Sequence, residues 1–363
     1  MALLTSWQRH TLQFTFAAGT SRGVLREKNT WLIKLWDEEN SRCFGLGEAG
    51  PLVGLSVDDR PDFEEGLARI LAKVAGATLP AAPEEVLAWA AEVVPEDWPS
   101  VRFGLETAAL DLLQGGTRTL YPGPFVQGHK DLEINGLIWM GDAKTMQQRL
   151  QQKLEEGFKT IKLKIGAIDF AAELELLGLV RERFGPEEIT LRVDANGAFA
   201  PKEAMAKLEQ LAAYDLHSIE QPIGVREWRE MAALCAESPV PVALDEELIG
   251  VQGEAAKADL LDAIRPPYII LKPTLVGGLA STAEWIRLAE ARNIGWWITS
   301  ALESNVGLNA IAQFTAEYPV HLPQGLGTGQ LYHNNVPAPL EQKQGWLHYN
   351  AENEWDLKPF FRD

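Results

Sequence analysis

The chain has 363 residues, 46% hydrophobic and 23% charged with twelve tryptophans, which is the composition of a packed protein rather than a disordered or fibrous one. At this length it suits two domains, or a barrel of about 250 residues with an added module. A formal net charge of −18 argues against a broad electrostatic grip on nucleic acid or on an anionic membrane, because an acidic surface repels both.

The first residues, MALLTSWQRHTLQF, show no charged leader running into an apolar stretch. No segment reaches the roughly 18 apolar residues needed to span a bilayer, so a cytoplasmic protein without membrane or nucleic-acid partners is expected. Residues 1–120 read as a separate α+β domain. Strand-like runs WQRHTLQFTF (7–16) and TWLIKLWDEE (30–39) precede helical segments at 64–76, 81–94 and 101–116. AAGTSRGVLREKN (17–29) and GEAGPLVGLSVDD (47–59), rich in glycine and small residues, read as loops able to fold over a neighbouring site.

From residue 121 to 325 the pattern changes to short β-rich runs alternating with helical stretches. The runs are INGLIWM (134–140), TIKLKI (160–165), ITLRVDA (189–195), HSIEQP (217–222), VPVALDE (240–246), YIILKP (268–273), GWWITS (295–300) and, weakly, VHLPQGL (320–326). Their starts lie roughly 25 to 30 residues apart, the length of one βα unit. Eight units predict an α/β fold closed as a TIM-type (β/α) barrel rather than an open sheet. Residues 326–363 form a tail. Cys43 and Cys235 lie far apart and outside any CxxC spacing, so they are expected as small core residues.

Polar residues recur where these runs end, which in a parallel barrel is the rim that carries active sites. Asp194, Glu220 and Asp245 close three successive runs, and three carboxylates facing one point repel unless a cation joins them; oxygen-only ligation suits Mg²⁺, with Mn²⁺ a substitute. Lys162 and Lys164, two apart in a strand, project to one face, where burial and a cationic neighbour are expected to lower a lysine pKa toward the general-base range. Lys272 enters from nearly across the barrel. Together these groups predict abstraction of a proton beside the carboxylate of a small-molecule substrate. Arg192, two residues before Asp194, points inward by alternation and is a further substrate contact.

In order, TIKLKIG, LRVDANGAF, SIEQPI, ALDEEL and IILKPTLVGG resemble the KxK subgroup of the enolase superfamily, related to muconate-lactonizing enzymes, and the likeness spans nearly the whole chain. The resemblance implies a modified (β/α)8 barrel, (β/α)7β, under an N-terminal cap against which the tail at 326–363 packs. It implies Asp194, Glu220 and Asp245 as metal ligands, Lys164 as base, Lys272 as the opposed stabilising group and Lys162 as its tuning neighbour. Asn196 and Glu246 orient these groups.

ITSALESNVGLNAIAQFTA (298–316) with QGLGTGQLYHNN (324–335) is similar to o-succinylbenzoate synthases. That likeness implies syn elimination of water from 2-succinyl-6-hydroxy-2,4-cyclohexadiene-1-carboxylate. It assigns the succinyl carboxylate to Ser300, Ala301, Leu302, Glu303, Ser304 and Asn305. Thr20, Ser21, Arg22 and Gly23 of the first loop, with Leu52 and Val53 of the second, are the expected lid. N-succinylamino acid racemisation stays open as an alternative, and dipeptide epimerisation is disfavoured because GLGTGQ stands where epimerases carry DxD. Monomer and homo-oligomer are both compatible with the sequence.

Overall fold

The computed structural model describes residues 2–20, 23–166, 168–358 and 360. Three antiparallel strands, β1 (Leu3–Thr20), β2 (Gly23–Asp37) and β3 (Asn40–Ala49), form the N-terminal sheet in that order. The middle of β2 is apolar on both faces because both are covered. Ile33 and Leu35 belong to the core shared with three helices, α1 (Phe63–Val74), α2 (Pro83–Val93) and α3 (Pro99–Leu113). Leu32 instead packs with Leu46, Val306, Val336 and Phe360. Gly45 and Gly47 let α3 lie directly on β3, since a Cβ at either would come within 1.8 Å of the Ala108 carbonyl oxygen or 1.9 Å of that of Gly104.

Two segments expected as loops differ in one respect. Residues 47–59 do leave the sheet after Ala49, but 17–29 is mostly paired strand: Ala18 faces Leu25 and Gly19 faces Val24 at the end of a long hairpin. Backbone pairing consumes the N–H and C=O groups that a small-residue composition leaves free to be assigned to a loop.

A short strand, β4 (Leu132–Glu133), precedes the barrel. The barrel then runs β5 (Gly136–Ile138), α4 (Ala143–Glu155), β6 (Thr160–Lys164), α5 (Phe170–Arg181), β7 (Thr190–Asp194), α6 (Pro201–Leu211), β8 (Leu216–Glu220), α7 (Trp228–Glu237), β9 (Val242–Leu244), α8 (Glu254–Ile264) and β10 (Tyr268–Leu271). It continues through α9 (Pro273–Val276), α10 (Gly278–Glu290), β11 (Gly295–Ile298) and α11 (Asn305–Ala316). Local chemistry sets these boundaries: Asp142 caps α4 by accepting from Thr145 N at 2.8 Å, Pro201 opens α6, and Gly157 follows α4 at φ +82°.

The seven strands β5 to β11 pair in parallel, each with the next in sequence. The eighth run is not a strand. Pro323 has no N–H to give, and ring closure rests on isolated parallel bridges, Ile134 with Gln324 and Thr299 with Gly325. Gln324 N donates to Glu133 O at 2.8 Å, and Gly325 N to Ile298 O at 2.8 Å. The seam is close enough that a Cβ at residue 325 would sit 2.0 Å from Thr299 Oγ1.

Beyond the barrel, Phe14 bridges Tyr332 and His333 N donates to Gln13 O, which ties the tail to β1. The hairpin of β12 (Leu340–Lys343) and β13 (Trp346–Tyr349) extends β4 into a second small sheet. Cys43 and Cys235 are only partly buried, and burial pushes the Cys235 thiol up to about 12. Among the described residues no helix is long and apolar enough to cross a membrane.

Candidate active site

Parallel register decides which side chains meet. Lys164 pairs with Asp194, and Asp194 with Glu220, so all three project inward at one level of the barrel; Lys162 pairs with Arg192 one level below. Glu220 pairs with Ala243, and Asp245 stands two residues beyond it, directly after β9. Lys272 follows β10. The three carboxylates are essentially inaccessible, at 0–2% exposure.

Carboxylates this deeply buried need counter-charge, and the lysines supply it. Lys162 Nζ lies 2.5 Å from Glu220 Oε2 and 2.9 Å from Asp194 Oδ2. Lys164 Nζ donates to Asp194 Oδ2 at 2.9 Å and to Asn196 Oδ1 at 2.8 Å, and Lys272 Nζ donates to Asp245 Oδ2. Asn196 Nδ2 reaches Glu246 Oε1 at 3.0 Å. Asn196 and Glu246 thus form a hydrogen-bonded chain beside the cluster.

These contacts correct one electrostatic expectation. Burial does work to lower the Lys162 ammonium, but Asp194, Glu220 and Asp245 outweigh it and hold Lys162 above the ordinary lysine range. Lys272 is raised in the same way, with burial opposed chiefly by Asp245. Among the carboxylates, Asp194 and Asp245 lie below their usual range because the lysine charges overcome burial. Glu220 moves the other way, raised by burial together with the charges of Asp194 and Asp245.

Above the cluster is a cavity of about 370 Å³ lined by Lys162, Lys164, Asp194, Asn196 and Lys272 on the barrel side. Lys164 and Lys272 thus reach one chamber from strands separated by three others. Ser300, Ala301 and Leu302 form another wall, and the N-terminal region contributes Gly23 of β2 with Leu52 and Val53 of the loop after β3. Of the remaining lid residues, Thr20 ends β1, while Ser21 and Arg22 lie outside the described residues.

Three proposed substrate contacts do not line the chamber. Glu303 is buried and accepts from Thr274 Oγ1, Ser300 Oγ and Ala301 N. Ser304 caps α11, and Asn305 donates from Nδ2 to Val336 O. Nor does Arg192 reach the cavity: it is buried lower in the barrel, stacked 4.1 Å from the Trp297 ring centre, with Nη1 donating to Pro323 O at 2.8 Å. Alternation gave its direction correctly but not its depth.

Sequence reasoning missed Asn135, Leu137, Trp139, Thr299 and Thr328 on the cavity wall. The odd positions 135, 137 and 139 alternate along the first run, so period-two facing was the available signal.

Residues 145–352 match the enolase C-terminal domain-like family. The chain belongs to the enolase superfamily. It is 48% identical to the o-succinylbenzoate synthase of Desulfotalea psychrophila (strain LSv54 / DSM 12343), over 94% of this chain and 98% of that protein. The crystal structure of MenC from Desulfotalea psychrophila LSv54 superimposes with a TM-score of 0.84 at 43% identity, covering 96% of this chain and 100% of the other. The dipeptide epimerase of Enterococcus faecalis V583, solved with Mg and a dipeptide, shares the fold at 18% identity and a TM-score of 0.82, over 98% and 100% of the two chains. The Thermus thermophilus N-succinylamino acid racemase is 37% identical over 44% of this chain and 40% of its own length.

The superfamily is in general dependent on Mg²⁺, and this chain's donor set can be tested against such an ion. As the side chains stand, Lys162 lies between Asp194 and Glu220, and among the described residues no three acidic, histidine or cysteine groups surround one point. The backbone nonetheless brings three hard oxygen donors to adjacent strand ends, and Glu220 Oε1 is buried without a hydrogen-bond partner. Register is fixed by the sheet, whereas lysine and carboxylate rotamers are free to turn. The residues fit a hard divalent cation.

Proposed function

We propose that this chain is a cytoplasmic o-succinylbenzoate synthase acting on a small-molecule carboxylate with Mg²⁺, Mn²⁺ being a substitute. The observation that carries the reading is the 48% identity across nearly the full length of both chains. The chemistry is supported by two lysines from opposite strands facing one cavity over three carboxylates.

In this reading Asp194, Glu220 and Asp245 hold the ion. When bound, it supplies positive charge beside the substrate carboxylate and acidifies the adjacent carbon. Lys164 Nζ takes the proton from that carbon. Lys272, on the other side of the chamber, stabilises the negative charge left on the substrate. The C–O bond to the ring hydroxyl then breaks on the face from which the proton left. Lys164 returns its proton to the departing oxygen, giving water and an aromatic ring. Asn196 holds Lys164 in line, and Lys162 balances the charge of Asp194 and Glu220. Ser300, Ala301 and Leu302 face the succinyl arm, while the loop carrying Leu52 and Val53 shields the reaction from water.

Purified protein with Mg²⁺ and 2-succinyl-6-hydroxy-2,4-cyclohexadiene-1-carboxylate is expected to form o-succinylbenzoate. Absence of product would reject the reading. A racemase reading is favoured by the Thermus relative; deuterium entering the α-carbon of N-succinylamino acids, with no dehydration, would select it.

A further inference from the structure

A second buried charge cluster lies outside the reacting groups, at the seam between the N-terminal sheet and the barrel. Glu48, at the end of β3, is fully buried and accepts four hydrogen bonds. One comes from Thr30 Oγ1 at 2.7 Å; the others come from the barrel, from Ser304 N at 2.8 Å, Ser304 Oγ at 2.5 Å and Gly307 N at 2.8 Å. Glu303, also fully buried, folds the loop after β11 around itself: Ser300 Oγ at 2.5 Å and Ala301 N at 2.8 Å donate to Oε2, and Thr274 Oγ1 at 2.5 Å to Oε1.

Beside these acids is Lys28 of β2, 3% exposed, whose Nζ has no hydrogen-bond partner. Burial holds its ammonium below the ordinary lysine range, and the charges of Glu48 and Glu303 oppose that shift without cancelling it. A lone ammonium at such a depth is costly unless it answers nearby negative charge, and the side chains placed to supply it are those of Glu48 and Glu303. Gly50 lies against the same group: a Cβ there would stand 2.6 Å from Lys28 Nζ and 3.6 Å from Glu48 Oε1.

Both chain segments beside Lys28 lead straight to the cavity. Gly50 precedes Leu52, Val53 and Gly54, and Glu303 follows Ser300, Ala301 and Leu302; all six of these neighbours line it. We propose that Lys28 is a positioning residue, which by neutralising Glu48 and Glu303 together holds the sheet-side loop and the 300–302 loop at the separation that fits the substrate arm. Lys28 touches no reacting atom. Without its charge the two acids repel, and the two walls that they anchor lose their spacing.

The substrate in this proposal rests on the synthase reading, while the coupling of the two loops does not. Lys28→Met keeps the stem and removes the charge. It is expected to raise KM about tenfold with kcat changed less than about threefold, the pattern of lost substrate binding rather than lost chemistry. Adding Glu303→Gln removes one of the opposed acids, so Lys28→Met/Glu303→Gln is expected to bring KM back toward that of the unmutated protein. Gly50→Ala, which displaces Lys28 while keeping it, is expected to raise KM in the same direction and serves if Lys28→Met fails to fold. Hydrogen exchange of residues 298–308 should quicken in both single variants.

An unchanged KM with unchanged exchange would overturn the proposal, as would a fall in kcat alone that tracks the loss of folded protein. If the unmutated chain turns over no substrate, the synthase reading fails by itself, and the exchange measurement still decides whether Lys28 couples the loops.

Discussion

The barrel rim and the cap seam hold the same residue types at the same depth and differ in how the charges are answered. At the seam, Glu48 and Glu303 are satisfied by neutral donors, hydroxyls and backbone N–H groups, with Lys28 adding charge but no hydrogen bond. At the rim, Asp194, Glu220 and Asp245 face amines, and the lysines themselves open onto a cavity. Neutral donors in fixed backbone geometry make a rigid joint. Flexible amines over carboxylates make a cluster that rearranges when a ligand arrives, and it is the second arrangement that suits proton transfer.

The largest expected effect falls at the rim. Lys164→Ala removes the proposed base and should lower kcat about a thousandfold or more, with folding intact by circular dichroism; near-normal turnover would dissolve the distinction between rim and seam. Next comes Glu220→Gln. It keeps the shape but removes a proposed ion ligand, so Mg²⁺ affinity measured by titration calorimetry should weaken at least tenfold, whereas Glu303→Gln should leave it unchanged.

A smaller effect concerns a third buried acid. Glu106 on α3 accepts from Leu279 N at 2.5 Å, yet burial pushes its carboxyl up to about 8. The folded state therefore keeps this proton to higher pH than the unfolded state does. Its contribution to stability is full below the ordinary carboxylate range and falls as pH rises from there to about 8. Glu106→Gln should flatten that part of the urea-unfolding profile and stabilise the protein at pH 8 by on the order of 1 kcal/mol or more. An unchanged slope would mean that Glu106 is ionised in the fold.

Much of the barrel was legible because its repeat is local: apolar runs of strand length, helical spacing between them, and polar residues at matching ends. Lys162, Lys164, Asp194, Glu220, Asp245 and Lys272 were found by that periodicity. The assignment of charge was not, because which lysine meets which carboxylate depends on register between strands, and that reverses the expected direction for Lys162. Arg192 shows the same limit, inward by alternation but one level too deep to reach the cavity. Lys28 was hidden within a segment that read as a loop, and Glu48 meets Ser304 across 256 residues of sequence, a contact with no local pattern. The eighth barrel run was visible only as a weak signal, since closure uses bridges at Gln324 and Gly325 rather than a strand.

The most direct test is a crystal structure of the protein with Mg²⁺ and o-succinylbenzoate. The expected result is the ion on Asp194, Glu220 and Asp245, and the ring between Lys164 and Lys272 with its succinyl arm toward residues 300–302. An ion held elsewhere, or a product with both lysines on one side of it, would contradict it.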